Sequence, residues 1–269
     1  MIYTVQGAPL YVYTGGKNFD PSKPTAVLIH GVLNDHSVWI LQSRYFANHG
    51  WNVMAIDLPG HGRSGGKAPD SVQSAAETVI ALLDAAGVDK AILMGHSFGS
   101  LIAMHAAAEH PQRVSQLVMV GTAYPMRVSP ALLENSVSNP GKAIDMVTTF
   151  SHSTLAPPPS ALGPGTWLLG GSKALMRRVL ASNPHENIFH IGFKACDQYD
   201  QGEMAMAKVM CPTLFLLGNK DQMTPPKAAQ SLIQKARDAR VSLVKAGHQL
   251  MVEAPEECLA AMLAFCKKS

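Results

Sequence analysis

A serine lies in a pattern of small residues that could make it a nucleophile. Ser97 is the centre of Gly95-His96-Ser97-Phe98-Gly99, directly after a predicted strand and at the start of a predicted helix. Such a turn strains the backbone of its central residue, so Gly95 and Gly99 must be glycine or similarly small. The helix N-terminus would offer free N–H groups beside the reacting oxygen. An ordinary turn between glycines is the alternative, but the strand–turn–helix context favours a nucleophile.

A base must remove the proton of a serine hydroxyl, and histidine is the natural base near neutral pH. Of the 11 histidines, His248 follows the last predicted strand and precedes the last predicted helix, at the same sheet edge as Ser97. His96 adjoins Ser97, but successive residues on a tight turn cannot point at one another. His61 lies in a glycine-rich loop, where a structural role is favoured. The spacing therefore predicts His248 as the base.

An acid that orients the imidazole is predicted at Asp221. This residue ends the segment Gly218-Asn219-Lys220-Asp221, just beyond a predicted strand over Thr213–Leu217. The end of the preceding core strand reads Gly121-Thr122-Ala123 and holds no carboxylate, which favours Asp221 as the partner of the histidine. An aspartate that only closes a turn is the alternative interpretation.

Acyl transfer also requires donors for a developing oxyanion. The helix that starts after Ser97 offers the backbone N–H of Phe98. A second donor is expected in the loop after the predicted strand Thr25–Ile29, which begins His30-Gly31-Val32, and the N–H of Val32 is the candidate. His30 is predicted to anchor this loop through a hydrogen bond, and Gly31 to support it.

Short apolar runs alternate with helical patterns through most of the chain, which predicts a mostly parallel sheet covered by helices on both faces. The predicted strands are Ile2–Val5, Leu10–Tyr13, Thr25–Ile29, Asn52–Ile56, Ala91–Met94, Val114–Val120, Thr213–Leu217 and Val241–Val244, the first two as an edge hairpin. The predicted helices are Ser37–Asn48, Ser71–Ala86, Phe98–Glu109, Pro225–Ala236 and Glu253–Cys266.

One region interrupts the alternation and predicts a helical insertion over residues 122–208, between core segments 1–121 and 209–269. Proline and glycine clusters mark loops within it, at Pro157–Pro159 and Gly163–Gly165. Helical patterns cover Pro130–Ser138, Gly141–Phe150, Ser172–Ala181 and Glu186–Gln198. An insertion at this point would lie over the carboxyl ends of the strands, where open α/β sheets bind ligands. Its apolar residues would suit a hydrophobic acyl or alcohol group.

Two charged features of the insertion have competing interpretations. Arg177-Arg178 could face an acidic partner, such as a carrier-protein-bound acyl chain, but a solvated helix face is favoured. Asp197 is interpreted as a solvated surface charge rather than as the catalytic acid.

The composition excludes several classes of protein. The 269 residues are 47% hydrophobic and 15% charged, with a net charge of +3, which is typical of a compact globular protein and not of a nucleic-acid binder. We expect no membrane span and no secretory signal. The four cysteines lack metal or redox spacing, which favours free thiols and a cytoplasmic location. Nothing in the sequence indicates a metal or an organic cofactor, and it does not decide between a monomer and a homodimer.

Along nearly its whole length the chain resembles α/β-hydrolases, through five pieces in order. These are His30-Gly31-Val32, Asp57-Leu58-Pro59-Gly60-His61-Gly62-Arg63-Ser64, the Ser97 pentad, Gly218-Asn219-Lys220-Asp221 and Gly247-His248. The resemblance implies an α/β-hydrolase fold, with a mostly parallel eight-stranded sheet and a helical cap, and a triad in the order Ser–Asp–His. Dehalogenases and epoxide hydrolases of the family carry aspartate at the nucleophile position, so Ser97 disfavours both.

The sequence is most similar to small, capped serine esterases of that family. We therefore expect a serine hydrolase that cleaves a carboxylic ester, or a related acyl bond, of a small hydrophobic molecule through an acyl-enzyme. Carbon–carbon bond hydrolases that act on meta-cleavage products, and cofactor-free perhydrolases, share the triad and are the alternatives. A small-molecule receptor on the same scaffold is a further one. The natural substrate, acyl chain length and stereopreference are not fixed by these motifs.

Overall fold

A computed structural model describes residues 1–154 and 167–266 of the chain. Its strands form one eight-stranded sheet in the order β1-β2-β4-β3-β5-β6-β7-β8. The strands are β1 Ile2–Val5, β2 Ala8–Tyr13, β3 Thr25–Ile29, β4 Asn52–Ile56, β5 Ala91–His96, β6 Val114–Val120, β7 Thr213–Gly218 and β8 Ala239–Val244. β1 and β2 form an antiparallel hairpin, β2 pairs antiparallel with β4, and all the other pairs are parallel. The predicted fold class is confirmed.

The helices connect the strands and cover both faces of the sheet. They are α1 Ile40–Asn48, α2 Val72–Ala85, α3 Phe98–Glu109, α4 Pro130–Ser138, α5 Pro140–Ser151, α6 Leu168–Ser182, α7 Ile188–Gln198, α8 Gly202–Lys208, α9 Gln230–Lys235, α10 Leu250–Glu253 and α11 Pro255–Cys266. Short 3-10 helices lie at His36–Trp39, Pro111–Arg113 and Pro226–Ala229. In the described parts of the chain, no helix combines the length and apolarity that are needed to cross a bilayer.

Burial on both faces explains why the central strands are continuous apolar runs. Every residue of β3, β4 and β5 is buried. One face packs against α2, α3, α8 and α9, and the other packs against α1 and α11. In a mostly parallel sheet covered on both faces, ligands bind at the carboxyl ends of the strands and in the loops that follow them.

Between β6 and β7 the chain forms helices rather than strands. α4, α5, α6 and α7 share an apolar cluster that includes Ile144, Met176 and Phe189. The predicted loop clusters Pro157–Pro159 and Gly163–Gly165 lie outside the described residues. The exact bounds of the insertion, 122–208, stay a prediction.

The structure differs from the predicted helices at several places. α8 was not predicted, and its residues Ala205 and Met206 pack in the same apolar cluster as α2 and α3. The helix predicted over Glu253–Cys266 instead begins at Leu250 and breaks at Ala254, because Pro255 disfavours a helical conformation of the residue before it. The helix predicted over Pro225–Ala236 starts as a 3-10 turn before α9.

Candidate active site

The turn between β5 and α3 holds Ser97 in a strained conformation. Its φ of 54° and ψ of −118° lie outside the regions that side-chain-bearing residues prefer. A Cβ atom at Gly95 would collide with the main-chain oxygen of Gly99, and one at Gly99 would collide with that of Ile29. Only glycine therefore fits at both positions, and α3 packs close enough to the sheet to hold the serine at its edge.

A buried hydrogen-bond network joins Asp221 to His248. The Nδ1 atom of His248 lies 2.8 Å from Oδ2 of Asp221, and both side chains are buried. The other carboxylate oxygen of Asp221 accepts the backbone N–H groups of Met223 and Thr224, each at 2.8 Å. The hydroxyl of Thr224 donates to Oδ2 at 2.7 Å.

This network keeps Asp221 ionised. Burial by itself raises the pKa of the carboxyl, but the charge and hydrogen bond of His248, together with the hydrogen bonds from Thr224, lower it to about 2. An ionised carboxylate only accepts hydrogen bonds, so Nδ1 of His248 carries the proton. Nε2 of His248 is then the nitrogen that can take a proton from another group.

The side chains of Ser97 and His248 line the same cavity. Ser97 follows β5, Asp221 follows β7 and His248 follows β8, so all three lie at the carboxyl edge of the sheet. Among the described residues, no hydrogen bond joins the Ser97 hydroxyl to the imidazole. Such bonds are often long without substrate and tighten when it binds.

The loop after β3 approaches the nucleophile closely. A Cβ atom at Gly31 would lie 3.1 Å from Cβ of Ser97, which is tighter than an ordinary contact. His30 fixes this loop: its Nδ1–H donates to the carbonyl of Gly31 at 2.8 Å, and its Nε2 accepts the N–H of Leu58 at 3.0 Å. Burial lowers the pKa of His30, so the ring is neutral and can both donate and accept.

The two candidate oxyanion donors are available for a ligand. In residues 1–154 and 167–266, neither the N–H of Val32 nor that of Phe98 donates to another described residue. The residue after Val32, Leu33, has a φ of 54° and is fully buried in the apolar cluster of the insertion. This contact holds the loop against the helices that cover the site.

The cavity beside Ser97 has a volume of about 320 Å³ and is mostly apolar. Helices α4, α5 and α7 and the loops after β6 and β7 form its walls. The lining residues are Val32, Ser97, Met126, Arg127, Val128, Ser129, Leu132, Met146, Val147, Phe150, Phe193, Cys196, Gln222, Met223, Thr224 and His248. A cavity of this kind suits an apolar group attached to a polar reacting bond.

A cluster of possible metal ligands lies apart from this cavity, at Asp35, His36 and Asp57. Its oxygen atoms already accept hydrogen bonds from the protein. Asp57 accepts the N–H groups of His36 and Arg63, at 2.7 and 2.9 Å, and Asp35 pairs with Arg178 at 2.7 Å. The cluster is therefore explained as an internal polar network, and Arg178 has a partner within its own chain.

Comparison with known proteins agrees with this architecture. Residues 24–146 match the family described as the alpha/beta hydrolase fold. The chain has the α/β-hydrolase fold. An enol-lactonase from Burkholderia xenovorans LB400 superimposes on the chain with a TM-score of 0.83, at 18% identity and with 100% of both chains covered. This likeness shows the fold.

Curated relatives of the chain differ in length and activity. The chain is 29% identical over 261 residues to the dihydrolipoyllysine-residue acetyltransferase component of the acetoin cleaving system of Pseudomonas putida, with 90% of the chain and 63% of that protein covered. It is also 29% identical over 242 residues to a pimeloyl-[acyl-carrier protein] methyl ester esterase of Neisseria meningitidis, covering 84% of the chain and 89% of the esterase. The chain thus spans less than two thirds of the first relative's length.

Sequence reasoning missed two residues at the site. One is Thr224, whose hydroxyl lies within hydrogen-bond distance of both Asp221 and His248. The other is Glu253, which accepts the N–H of Gly247 at 3.0 Å and the N–H of Ser153 at 2.8 Å. Glu253 therefore links the loop that carries His248 to the segment that follows α5. A threonine three residues after a turn aspartate is a sequence signal that could have identified Thr224. No local sequence pattern identifies Glu253.

Proposed function

We propose that the protein is a serine hydrolase that cleaves carboxylic esters of small, mostly apolar molecules through an acyl-enzyme. The observation that supports this most directly is the buried pair of Asp221 and His248, whose imidazole lines a cavity together with the strained Ser97. The ionised Asp221 fixes the ring tautomer that leaves Nε2 free to accept a proton. Esterases among the relatives within the family agree with this chemistry.

The proposed reaction has two halves. Oγ of Ser97 attacks the ester carbonyl carbon while Nε2 of His248 takes the hydroxyl proton, and the N–H groups of Val32 and Phe98 hold the oxyanion. The bond to the alcohol oxygen then breaks, and this oxygen receives the proton from His248. A water molecule attacks the acyl-enzyme in the same way, and Ser97 is released with its proton restored.

The size of the cavity favours short and medium acyl groups. Its volume of about 320 Å³ is at the lower end of the range that small-molecule sites show. Activity on p-nitrophenyl esters should therefore rise from acetate to medium chains and fall for long ones. Carbon–carbon bond hydrolysis and perhydrolysis use the same triad. We place them second, because no observation at this site favours either reaction over ester hydrolysis.

Ester turnover by the purified protein and by the variant Ser97→Ala tests the proposal. We expect the wild-type protein to hydrolyse p-nitrophenyl esters and Ser97→Ala to lose on the order of 10⁶-fold in kcat while remaining folded. The exposed Ser138, whose hydroxyl bonds to the carbonyl of Glu134, provides the control Ser138→Ala. No turnover of any ester by the wild-type protein would instead favour a receptor or one of the alternative chemistries.

A further inference from the structure

An exposed arginine, Arg127, is among the residues that line the cavity beside Ser97, and ester hydrolysis does not require its charge. Apart from the imidazole of His248, Arg127 is the one residue of the described lining with a formally charged side chain. The other polar lining residues are the neutral Ser97, Ser129, Gln222 and Thr224. A neutral apolar substrate would not need an arginine beside it.

The position of Arg127 is fixed by the end of α7. One of its terminal nitrogens, Nη1, donates to the main-chain oxygen of Asp197 at 2.7 Å. The next residue, Val128, donates its N–H to the carboxylate of Asp197 at 2.9 Å. Arg127 thereby satisfies a carbonyl in the last turn of the helix, but a guanidinium has five N–H groups and this contact uses one. The backbone beside Arg127 is held in place by the second bond.

Within residues 1–154 and 167–266, Arg127 forms no ion pair with a carboxylate. An apolar substrate that covered the guanidinium would remove it from water without offering an acceptor, which is unfavourable. A carboxylate matches the planar fork of arginine and can accept two of its N–H groups at once. We infer that the substrate carries, besides the reacting ester and an apolar body, one anionic group that binds to Arg127. This inference rests on the proposed hydrolase function.

Three esters with the same six-carbon acyl chain test the inference. Methyl hexanoate is neutral, monomethyl hexanedioate carries a carboxylate on the acyl part, and carboxymethyl hexanoate carries it on the alcohol part. We expect wild-type kcat/KM for at least one anionic ester to exceed that for the neutral ester by about 10-fold or more, as is typical of hydrogen bonds between charged groups. The variant Arg127→Gln should lose this preference, because its kcat/KM for the preferred anionic ester should fall much further than its kcat/KM for methyl hexanoate.

Two further variants separate a local contact from a general effect of charge. Arg177→Gln removes an equal charge from an exposed position outside the cavity and should leave the preference unchanged. Asp197→Asn keeps an oxygen for the N–H of Val128 but removes a negative charge beside Arg127, so it should increase the preference. Higher salt should reduce the preference.

The outcomes are distinguishable. Equal wild-type turnover of the neutral ester and both anionic esters would overturn the inference, and so would an equal loss on all three esters in Arg127→Gln. Either result would leave the hydrolase proposal intact. If the wild-type protein hydrolyses none of the three and Ser97→Ala behaves in the same way, the proposed function itself has failed.

Discussion

The imidazole of His96 and the main chain of His248 are joined by a hydrogen bond of 2.9 Å, from Nε2 of His96 to the carbonyl oxygen of His248. The two rings lie 4.7 Å apart, centre to centre. Burial lowers the pKa of His96 to about 3, so the ring is neutral and donates through Nε2. The residue that precedes the candidate nucleophile therefore holds the backbone of the candidate base, although the two loops are 152 residues apart.

This bond predicts a positioning role for His96. His96→Leu removes the donor and should lower kcat by up to about 10-fold, the effect of a net hydrogen bond, with little change in KM. His96→Gln places an amide N–H within similar reach and should retain more activity. Steady-state kinetics of both variants check this, and equal losses in the two would show that packing of the ring matters rather than its hydrogen bond.

The hydroxyl of Thr224 should support activity by stabilising the charged carboxylate of Asp221. Its hydroxyl donates to the carboxylate at 2.7 Å, and hydrogen bonds to charged groups contribute about 1.5–3 kcal/mol. Thr224→Val keeps the shape of the side chain and removes the donor, so kcat/KM should fall roughly 10- to 100-fold. Thr224→Ser keeps the hydroxyl and is the matched control. If Val and Ser variants are equally active, the hydroxyl has no part in orienting His248.

Glu253 should hold the loop that carries His248 against the segment that follows α5. Its carboxylate accepts the N–H of Gly247, next to His248, and the N–H of Ser153, which follows α5. A Cβ atom at Gly247 would lie 2.7 Å from main-chain atoms of Ser151 and Ser153, so these segments are in direct contact. Glu253→Gln leaves one carbonyl oxygen for two donors, and we expect a drop in kcat together with a lower melting temperature. Glu256→Gln, an exposed change on α11, serves as the control.

Buried neutral histidines make the fold sensitive to mild acid. Burial, with a smaller effect of neighbouring His30, lowers the pKa of His61 to about 3, whereas an unfolded histidine titrates at about 6.5. Between these values the unfolded chain binds protons that the folded chain does not, so stability falls as the pH falls below about 6.5. Each such histidine costs at most about 2 kcal/mol between pH 7 and pH 5.

Urea unfolding at the two pH values measures this effect. His61→Gln should reduce the loss of unfolding free energy between pH 7 and pH 5, because one buried titrating group is gone. His185→Gln changes an exposed histidine and should leave the loss as it is in the wild-type protein. An unchanged loss in His61→Gln would mean that other groups govern the acid sensitivity.

Most of the fold was predictable because its signals are local. β3, β4 and β6 are apolar runs bounded by polar or turn residues, and their predicted ends agree with the structure. α3 was predicted at its observed bounds, because it follows the Ser97 turn directly. α8 escaped prediction, since it is only seven residues long and derives its stability from packing on α3 and α9.

The site likewise contains residues that local patterns predict and residues that depend on tertiary packing. Ser97, Asp221 and His248 each follow a strand, and parallel strands end at one edge of a sheet, so their meeting could be predicted from order and spacing. The contact between Glu253 and Ser153 spans 100 residues and depends on how the insertion packs, which no local pattern encodes. Arg127 was missed for the same reason, because its place beside the cavity depends on how the loop after β6 packs on the end of α7.

Labelling with a fluorophosphonate tests the central claim most directly, because this reagent phosphonylates an activated serine. Intact-mass and peptide mapping of the wild-type protein should find one adduct per chain, on the peptide that contains Ser97, and labelling should be far slower in His248→Ala. A wild-type protein that stays unlabelled, or that is labelled at another serine, would contradict the assignment of Ser97 as the nucleophile.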